Sequence, residues 1–299
     1  MVGYLDGLSI AVTGAGRGIG RAVAIECASL GASVVVADFG VSMDGNDPDS
    51  AVANEVVEEI KAAGGNAVAV ADTVTTMDGG ARIVQTAVDS FGRIDGVVCV
   101  AGILRERMLF NMSEEEWDAV IETHLKGTFT VFRAAAPIFR EQKSGTMIGF
   151  TSGAFAGSVA QANYSAAKGG IVSLTRSAAV GMYKYGVTAN IIAPVAKSRM
   201  SGQVPMELKM GEPEDVAPMV AWLVGPDARH VTGQIYTVNG GHIAVWDQPH
   251  EVRAMEKEGR WSVEEITARF DEVGQEKMGM IDRLDAMAKA AASGTKPNA

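Results

Sequence analysis

Short apolar, β-branched runs alternate with longer stretches of helical periodicity along most of the chain. The strand-like runs fall at residues 9–12, 33–37, 67–71, 96–100, 146–150, 188–192 and 234–238. Several are apolar almost throughout, as strands buried on both faces of a parallel sheet are. Helical patterns lie between them, for example at residues 19–30, 51–63, 80–91, 113–124 and 164–183. Ser113, with Glu116 three residues on, has the form of a capping box. This alternation predicts an α/β fold, a doubly wound parallel sheet of Rossmann type with seven strands and right-handed crossovers.

The pattern changes near residue 247. Residues 247–299 hold 8 Lys/Arg and 11 Asp/Glu, about twice the charge density of the preceding part. We expect a domain over residues 1–246 and a helical C-terminal extension over 247–299, with Ser262 capping a helix that begins near Glu264 and a frayed end at 293–299. The extension reads either as a solvated cap or as an arm over the active site or a neighbouring subunit.

Charge and composition narrow the function classes. The chain has 299 residues and a net charge of -10, so no basic surface for nucleic acid is expected. No apolar stretch is long enough to span a bilayer, so no membrane partner is expected either. Cys27 and Cys99 are far apart in apolar runs, and His124, His230, His242 and His250 lack ligand spacing. Neither a disulfide framework nor a metal site follows. Buried thiols and the lack of a leader-like start predict a cytoplasmic protein.

Candidate chemistry appears at two places. Thr13-Gly14-Ala15-Gly16-Arg17-Gly18-Ile19-Gly20 follows the first strand and opens the first helix. Glycines there allow a tight turn and close approach to a pyrophosphate, and a helix N-terminus adds free N–H groups. Asp38 ends the second strand, where a carboxylate can bind both ribose hydroxyls and repel a 2′-phosphate, so NAD is favoured over NADP. Arg17 pulls weakly towards NADP. Asp72, after the third strand, is placed near an adenine amino group. Tyr164 and Lys168 stand four residues apart on one helix face. The free phenol titrates near pH 10, and a neighbouring ammonium, together with the positive charge of an oxidised nicotinamide, is expected to favour the phenolate and lower that value.

With these motifs in place, residues 5–245 resemble the short-chain dehydrogenase/reductase family. The segments Ala101-Gly102-Ile103-Leu104-Arg105-Glu106-Arg107, His124-Leu125-Lys126-Gly127, Gln161-Ala162-Asn163-Tyr164-Ser165-Ala166-Ala167-Lys168 and Ser198-Arg199-Met200, with Trp117, are similar to a narrower branch. That branch is the (3R)-hydroxyacyl-CoA dehydrogenase domains of peroxisomal multifunctional enzymes of type 2 (17β-hydroxysteroid dehydrogenase type 4). The resemblance implies Tyr164 as acid/base, Lys168 as tuner of Tyr164 and ribose anchor, and Ser152 as hydrogen-bond partner of the substrate oxygen. It adds Ala101, Gly102 and Pro194 to the NAD site formed by Gly14, Arg17, Gly18, Ile19, Gly20, Asp38, Asp72, Tyr164 and Lys168. It also implies a homodimer or homotetramer.

Three departures from the family pattern stand out. Cys99-Val100-Ala101-Gly102 replaces the usual Asn-Asn-Ala-Gly. His124 takes the place of a catalytic asparagine, either relaying protons through its backbone carbonyl or filling a helix kink. Thr151 holds the usual position of the catalytic serine and Ser152 follows it; we favour Ser152. The segment 195–211, with Ser198, Arg199 and Met200, resembles a substrate lid, while Arg105, Arg107 and Arg199 read as solvated surface side chains, the reading we favour, or as partners for CoA phosphates. The function expected is NAD-dependent interconversion of a secondary alcohol and a ketone, with a small-molecule acyl-CoA substrate, preferably a 3-hydroxyacyl-CoA. Alternatives are a steroid or other bulky-alcohol dehydrogenase, and a non-catalytic NAD-binding redox sensor.

Overall fold

The structure is a computed structural model, and it describes residues 3–42, 49–197, 210–274 and 278–293. The chain divides into two compact units, Met1–Trp246 and Asp247–Ala299.

In the first unit the apolar runs form one sheet. Its strands are β1 (Ser9–Thr13), β2 (Ser33–Ala37), β3 (Asn66–Val70), β4 (Gly96–Cys99), β5 (Gly145–Phe150), β6 (Val187–Pro194), β7 (Ile235–Asn239) and β8 (His242–Val245). The spatial order is β3-β2-β1-β4-β5-β6-β7-β8. All seven expected strands are present and parallel; β8, which was not expected, adds antiparallel to β7. A two-residue turn, Gly240-Gly241, joins them between the paired residues Asn239 and His242. Gly240 takes φ 55 there, a left-handed conformation that a hairpin turn of this length favours.

Helices cover both faces because each strand alternates its side chains. From β1, Ile10 and Val12 join an apolar cluster with α1 (Gly18–Ser29), α2 (Ala51–Ala62) and α7 (Pro213–Val224). Ala11 points the other way, into a cluster with α3 (Met77–Phe91) and α5 (Gly127–Gln142). The expected helix 113–124 differs from the structure. Ser113 and Glu116 do form the capping box of α4 (Glu114–Val120), but the helix then widens into a π-helical turn, Ile121–Lys126, and runs on as α5. The remaining long helix, α6 (Ala162–Met182), packs on β5 and β6.

Because the order reverses between β1 and β4, their C-terminal ends open a crevice, the place where doubly wound sheets bind ligands. The ends of β5 and β6 and the start of α6 border the same side of the sheet.

The second unit contains α8 (Val263–Arg269) and α9 (Gly279–Ser293). Ser262 caps α8 through a capping box with Glu265. The Trp261 ring carries Lys257 Nζ at 5.4 Å and the Arg269 guanidinium at 5.0 Å. Residues 294–299 of the expected frayed end lie outside the described residues. Among the described residues no helix is long and apolar enough to cross a membrane, and no group of three His, Cys, Asp or Glu could hold a metal ion.

Candidate active site

The glycine loop connects β1 to α1 and leans on the end of β4. Gly14 has φ 65, and a side chain there would come within 2.7 Å of the Ala101 backbone. A Cβ on Gly20 would overlap the carbonyl of Gly14, whereas one on Gly18 would meet open space. The Ala101 N–H donates to the Thr13 hydroxyl at 3.3 Å, tying the ends of β1 and β4 together. The first-turn N–H groups of α1 border that open space with no acidic residue among them. This cradle fits a dinucleotide pyrophosphate.

Asp38 holds the next loop. Its Oδ2 accepts from the Gly16 N–H at 2.8 Å and its Oδ1 from the Gly40 N–H at 2.7 Å. The carboxylate is therefore both a turn aspartate and the wall beside the glycine loop, and each oxygen keeps lone-pair capacity for a ribose hydroxyl. Arg17 is exposed and precedes α1 in extended conformation. Asp72 is gripped by Arg82 and accepts from the Thr73 N–H at 2.8 Å. The guanidinium holds its carboxyl below the usual range. Ile19 and Pro194 are half-buried, the latter at the end of β6.

Residues at the ends of β5 and α6 then meet. Ser152 caps a 3₁₀ turn, Gly153–Ala156, by accepting from the Ala154 N–H at 3.3 Å, and it lies near enough to the Tyr164 phenol to act against the rise in its pKa. Thr151 is turned away. It is buried, and its hydroxyl donates to the Lys168 carbonyl at 2.9 Å. Lys168 Nζ donates to the Phe150 carbonyl at 2.8 Å and lies 5.4 Å from the centroid of the Tyr164 ring.

Burial acts on both groups of the Tyr164–Lys168 pair. It pushes the Tyr164 phenol up to about 12, against the lowering effect of Ser152. Burial pulls the Lys168 ammonium down to about 7. Desolvation penalises the charged form of each group. In the protein alone, burial of the phenol thus outweighs the lowering by Ser152, and the lysine is itself buried.

His124 lies in the π-helical turn and is buried. Its Nε2 lies 3.1 Å from the Ile103 nitrogen and 2.7 Å from the Ile103 carbonyl oxygen, while Nδ1 has no partner. The imidazole edge meets the Tyr164 ring, with centroids 5.2 Å apart and planes at 83°. Gly102 leaves space for this ring, since a side chain there would overlap it. Burial and the nearby Lys168 hold its pKa well below the ordinary value, so it is neutral. Its backbone carbonyl accepts from the Thr128 hydroxyl at 2.8 Å. His124 thus sits in the helix kink.

Of the three candidate arginines, Arg107 is committed to Glu116 through bonds of 2.7 and 3.0 Å. Arg105 keeps a buried Nε with no acceptor. Arg199, with Ser198, Met200 and most of the proposed lid, lies outside the described residues; the ends of that segment are joined by the Lys197 N–H donating to the Gly211 carbonyl at 2.8 Å.

The sequence reading missed Asn163. It is fully buried, its Oδ1 accepts from the Tyr164 N–H at 2.8 Å, and its Nδ2 donates to the carbonyls of Arg105 and Glu116, both at 2.9 Å.

Known proteins match this arrangement. A family model described as enoyl-(acyl carrier protein) reductase matches residues 14–242. A putative short-chain type dehydrogenase/reductase of Mycobacterium tuberculosis is 43% identical over 88% of this chain and 93% of its own length. The peroxisomal hydratase-dehydrogenase-epimerase of Neurospora crassa is 46% identical over 80% of this chain, which spans only 27% of that enzyme. A crystal structure of a short chain dehydrogenase from Mycobacterium avium superposes with a TM-score of 0.83 at 46% identity, covering 92% of this chain and 97% of that one. The doubly wound sheet, the glycine cradle and the extent of these matches show that the chain belongs to the short-chain dehydrogenase/reductase family and is an oxidoreductase of the kind that uses a nicotinamide cofactor.

Proposed function

We propose that the protein interconverts a secondary alcohol and a ketone with NAD, and that its substrate is a 3-hydroxyacyl-CoA thioester. The observation that carries this reading is the convergence of the Tyr164 phenol, the Ser152 hydroxyl and the Lys168 ammonium at the ends of β5 and α6. When bound, the nicotinamide supplies the hydride acceptor or donor for the carbinol carbon. Tyr164 Oη takes the proton of the alcohol in oxidation and returns it in reduction. Ser152 Oγ orients the substrate oxygen beside that phenol. Lys168 keeps one ammonium proton on Phe150 and has others free for a ribose hydroxyl. With the phenol at about 12, Tyr164 starts protonated at neutral pH. Oxidation, which needs the phenolate, therefore accelerates with rising pH, while reduction, which needs the protonated phenol, stays level until the pH nears that value.

The cofactor reading is supported by Asp38, a carboxylate beside the glycine loop that would repel a 2′-phosphate. The substrate reading is supported by the hydroxyacyl-CoA dehydrogenase ChsB1 of Mycobacterium tuberculosis, 39% identical over 88% of this chain and 87% of its own length. Two buried free thiols support a cytoplasmic location. Exposed Phe129, Val180 and Tyr183 on or beside α5 and α6 support a homodimer or homotetramer.

The test is steady-state turnover of wild type and Tyr164→Phe over a panel of 3-hydroxyacyl-CoA, steroid and simple alcohols, with NAD and NADP. We expect NAD to be preferred at least tenfold in kcat/KM, about 1.4 kcal/mol. Tyr164→Phe is expected to cut kcat on the order of 10²–10⁴ while still binding NAD. Preference for a steroid alcohol would replace the substrate assignment. NAD binding without turnover of any alcohol would make the protein a redox sensor instead.

A further inference from the structure

We propose that Asn163 is the positioning residue that fixes Tyr164 against the substrate wall, an inference that rests on the assignment of Tyr164 as the proton carrier. The start of α6 lacks an ordinary cap, since the residue before it, Gln161, makes no side-chain capping bond. The Tyr164 N–H is one of the first-turn donors that a helix leaves without an internal partner. Asn163 satisfies it from within the helix, at 2.8 Å. The same amide sends its two N–H groups to different segments. One reaches the Arg105 carbonyl in the loop after β4, the other the Glu116 carbonyl in α4, each at 2.9 Å.

One buried side chain thus references the backbone of the proton carrier to two elements distant in sequence. Nearby contacts tighten the same seam. The Arg107 N–H donates to the Ala160 carbonyl at 2.8 Å. Ala160 itself is held at φ 59, a conformation a non-glycine residue keeps only where its surroundings enforce it. On the far side, Thr151 fixes the Lys168 carbonyl at 2.9 Å. The first turn of α6 is therefore held at both ends of its reactive face, one tie at Asn163 and one at Lys168. No other side chain serves at position 163. Aspartate keeps the acceptor but loses both donors and sets a charge against two carbonyls. Glutamine is one methylene too long for all three bonds, and serine reaches at most one partner.

The experiment compares wild type, Asn163→Ala, Asn163→Ser, Tyr164→Phe and the double variant Asn163→Ala/Tyr164→Phe. Lys61→Gln serves as a control that breaks an exposed ion pair on α2, away from this seam. Turnover of the best 3-hydroxyacyl-CoA substrate is measured per folded molecule, with folded fraction from circular dichroism and NAD affinity from fluorescence titration. Positioning predicts a 10- to 100-fold fall in kcat for both Asn163 variants, with KM and NAD affinity within about threefold of wild type and Lys61→Gln near wild type. It also predicts that removing Asn163 costs less than twofold once the phenol is gone, because nothing is left to position. Unchanged kcat per folded molecule, even in variants that mostly unfold, would overturn the inference, as would a full additional loss in the double variant. A Tyr164→Phe protein with normal turnover would instead sink the functional reading itself.

Discussion

At the residue scale, two adjacent hydroxyls at the end of β5 do different work. Thr151 is buried and spends its hydroxyl on the Lys168 carbonyl, while Ser152 meets the Tyr164 phenol. Neighbouring side chains at a strand end face opposite ways, so only one can face the substrate. Ser152→Ala is expected to lower kcat on the order of 10²–10³, the effect of removing one oxyanion-type donor. Thr151→Ala should cost stability, on the order of 1 kcal/mol for a lost buried bond, and little rate; kinetics and denaturant titration of both variants check the ranking. Lys168 makes a separate pH prediction. Its pKa falls from 10.5 when unfolded to about 7 in the fold, so the unfolded chain binds more protons between these values. Stability relative to a Lys168→Met variant should therefore rise as pH goes from about 7 to 10 and stay level below 7. Melting temperatures across that range, with the variant as reference, give the answer. The glycine loop, Asp38, Tyr164 and Lys168 were legible because their spacing alone brings them to strand ends or one helix face. The burial of the phenol and the lysine was not, since it is a property of packing. Asn163 was hidden for the same reason: its partners are backbone carbonyls 58 and 47 positions away.

At the element scale, the parallel strands announced themselves as continuous apolar runs, and their observed ends lie within two residues of the expected ones. Two elements that escaped carry weaker signals. β8 is short and edge-lying, with Ile243 and Val245 more than half exposed at 56% and 60%, so no buried period marks it. Its Gly240-Gly241 turn was the available clue. The π-helical turn at Ile121–Lys126 shifts the helical phase by one residue, so the pattern reads as a helix ending near His124 rather than continuing into α5. Packing between elements is equally invisible in one sequence. Gly80 in α3 lets α5 approach so closely that a Cβ would stand 2.8 Å from the Thr130 backbone and side chain. Gly80→Ala forces those helices apart and is expected to destabilise by about 1–3 kcal/mol, as overpacking does. The site lies at the strand ends, so turnover per folded molecule should be unchanged; urea midpoints alongside kcat measure both.

At the scale of the whole molecule, the doubling of charge density near residue 247 coincides with the division between Met1–Trp246 and Asp247–Ala299. All four apolar clusters are built from residues of the first unit. The last of those residues is Trp246, whose ring packs on Phe155 at 4.6 Å and whose Nε1–H donates to the Thr237 hydroxyl at 2.8 Å. In the second unit the apolar side chains Val263, Ile266, Phe270 and Leu284 are 74%, 38%, 41% and 43% exposed, too little burial to offset the entropy of ordering a segment this charged. Stability should therefore reside in residues 1–246. A protein ending at Trp246 is expected to unfold cooperatively within about 3 °C of the full chain, which for a unit this size corresponds to roughly 1 kcal/mol. It should also bind NAD within about threefold of the full chain, since every residue of the proposed cofactor site is kept. A protein ending at Asn239 loses a half-buried aromatic contact and the β7–β8 ladder, together worth about 3–5 kcal/mol, and uncovers the edge of β7. Its melting temperature should drop by about 10 °C or more. Calorimetry of the three lengths decides: a large loss already at Trp246 would make the C-terminal segment an integral part of the folded core.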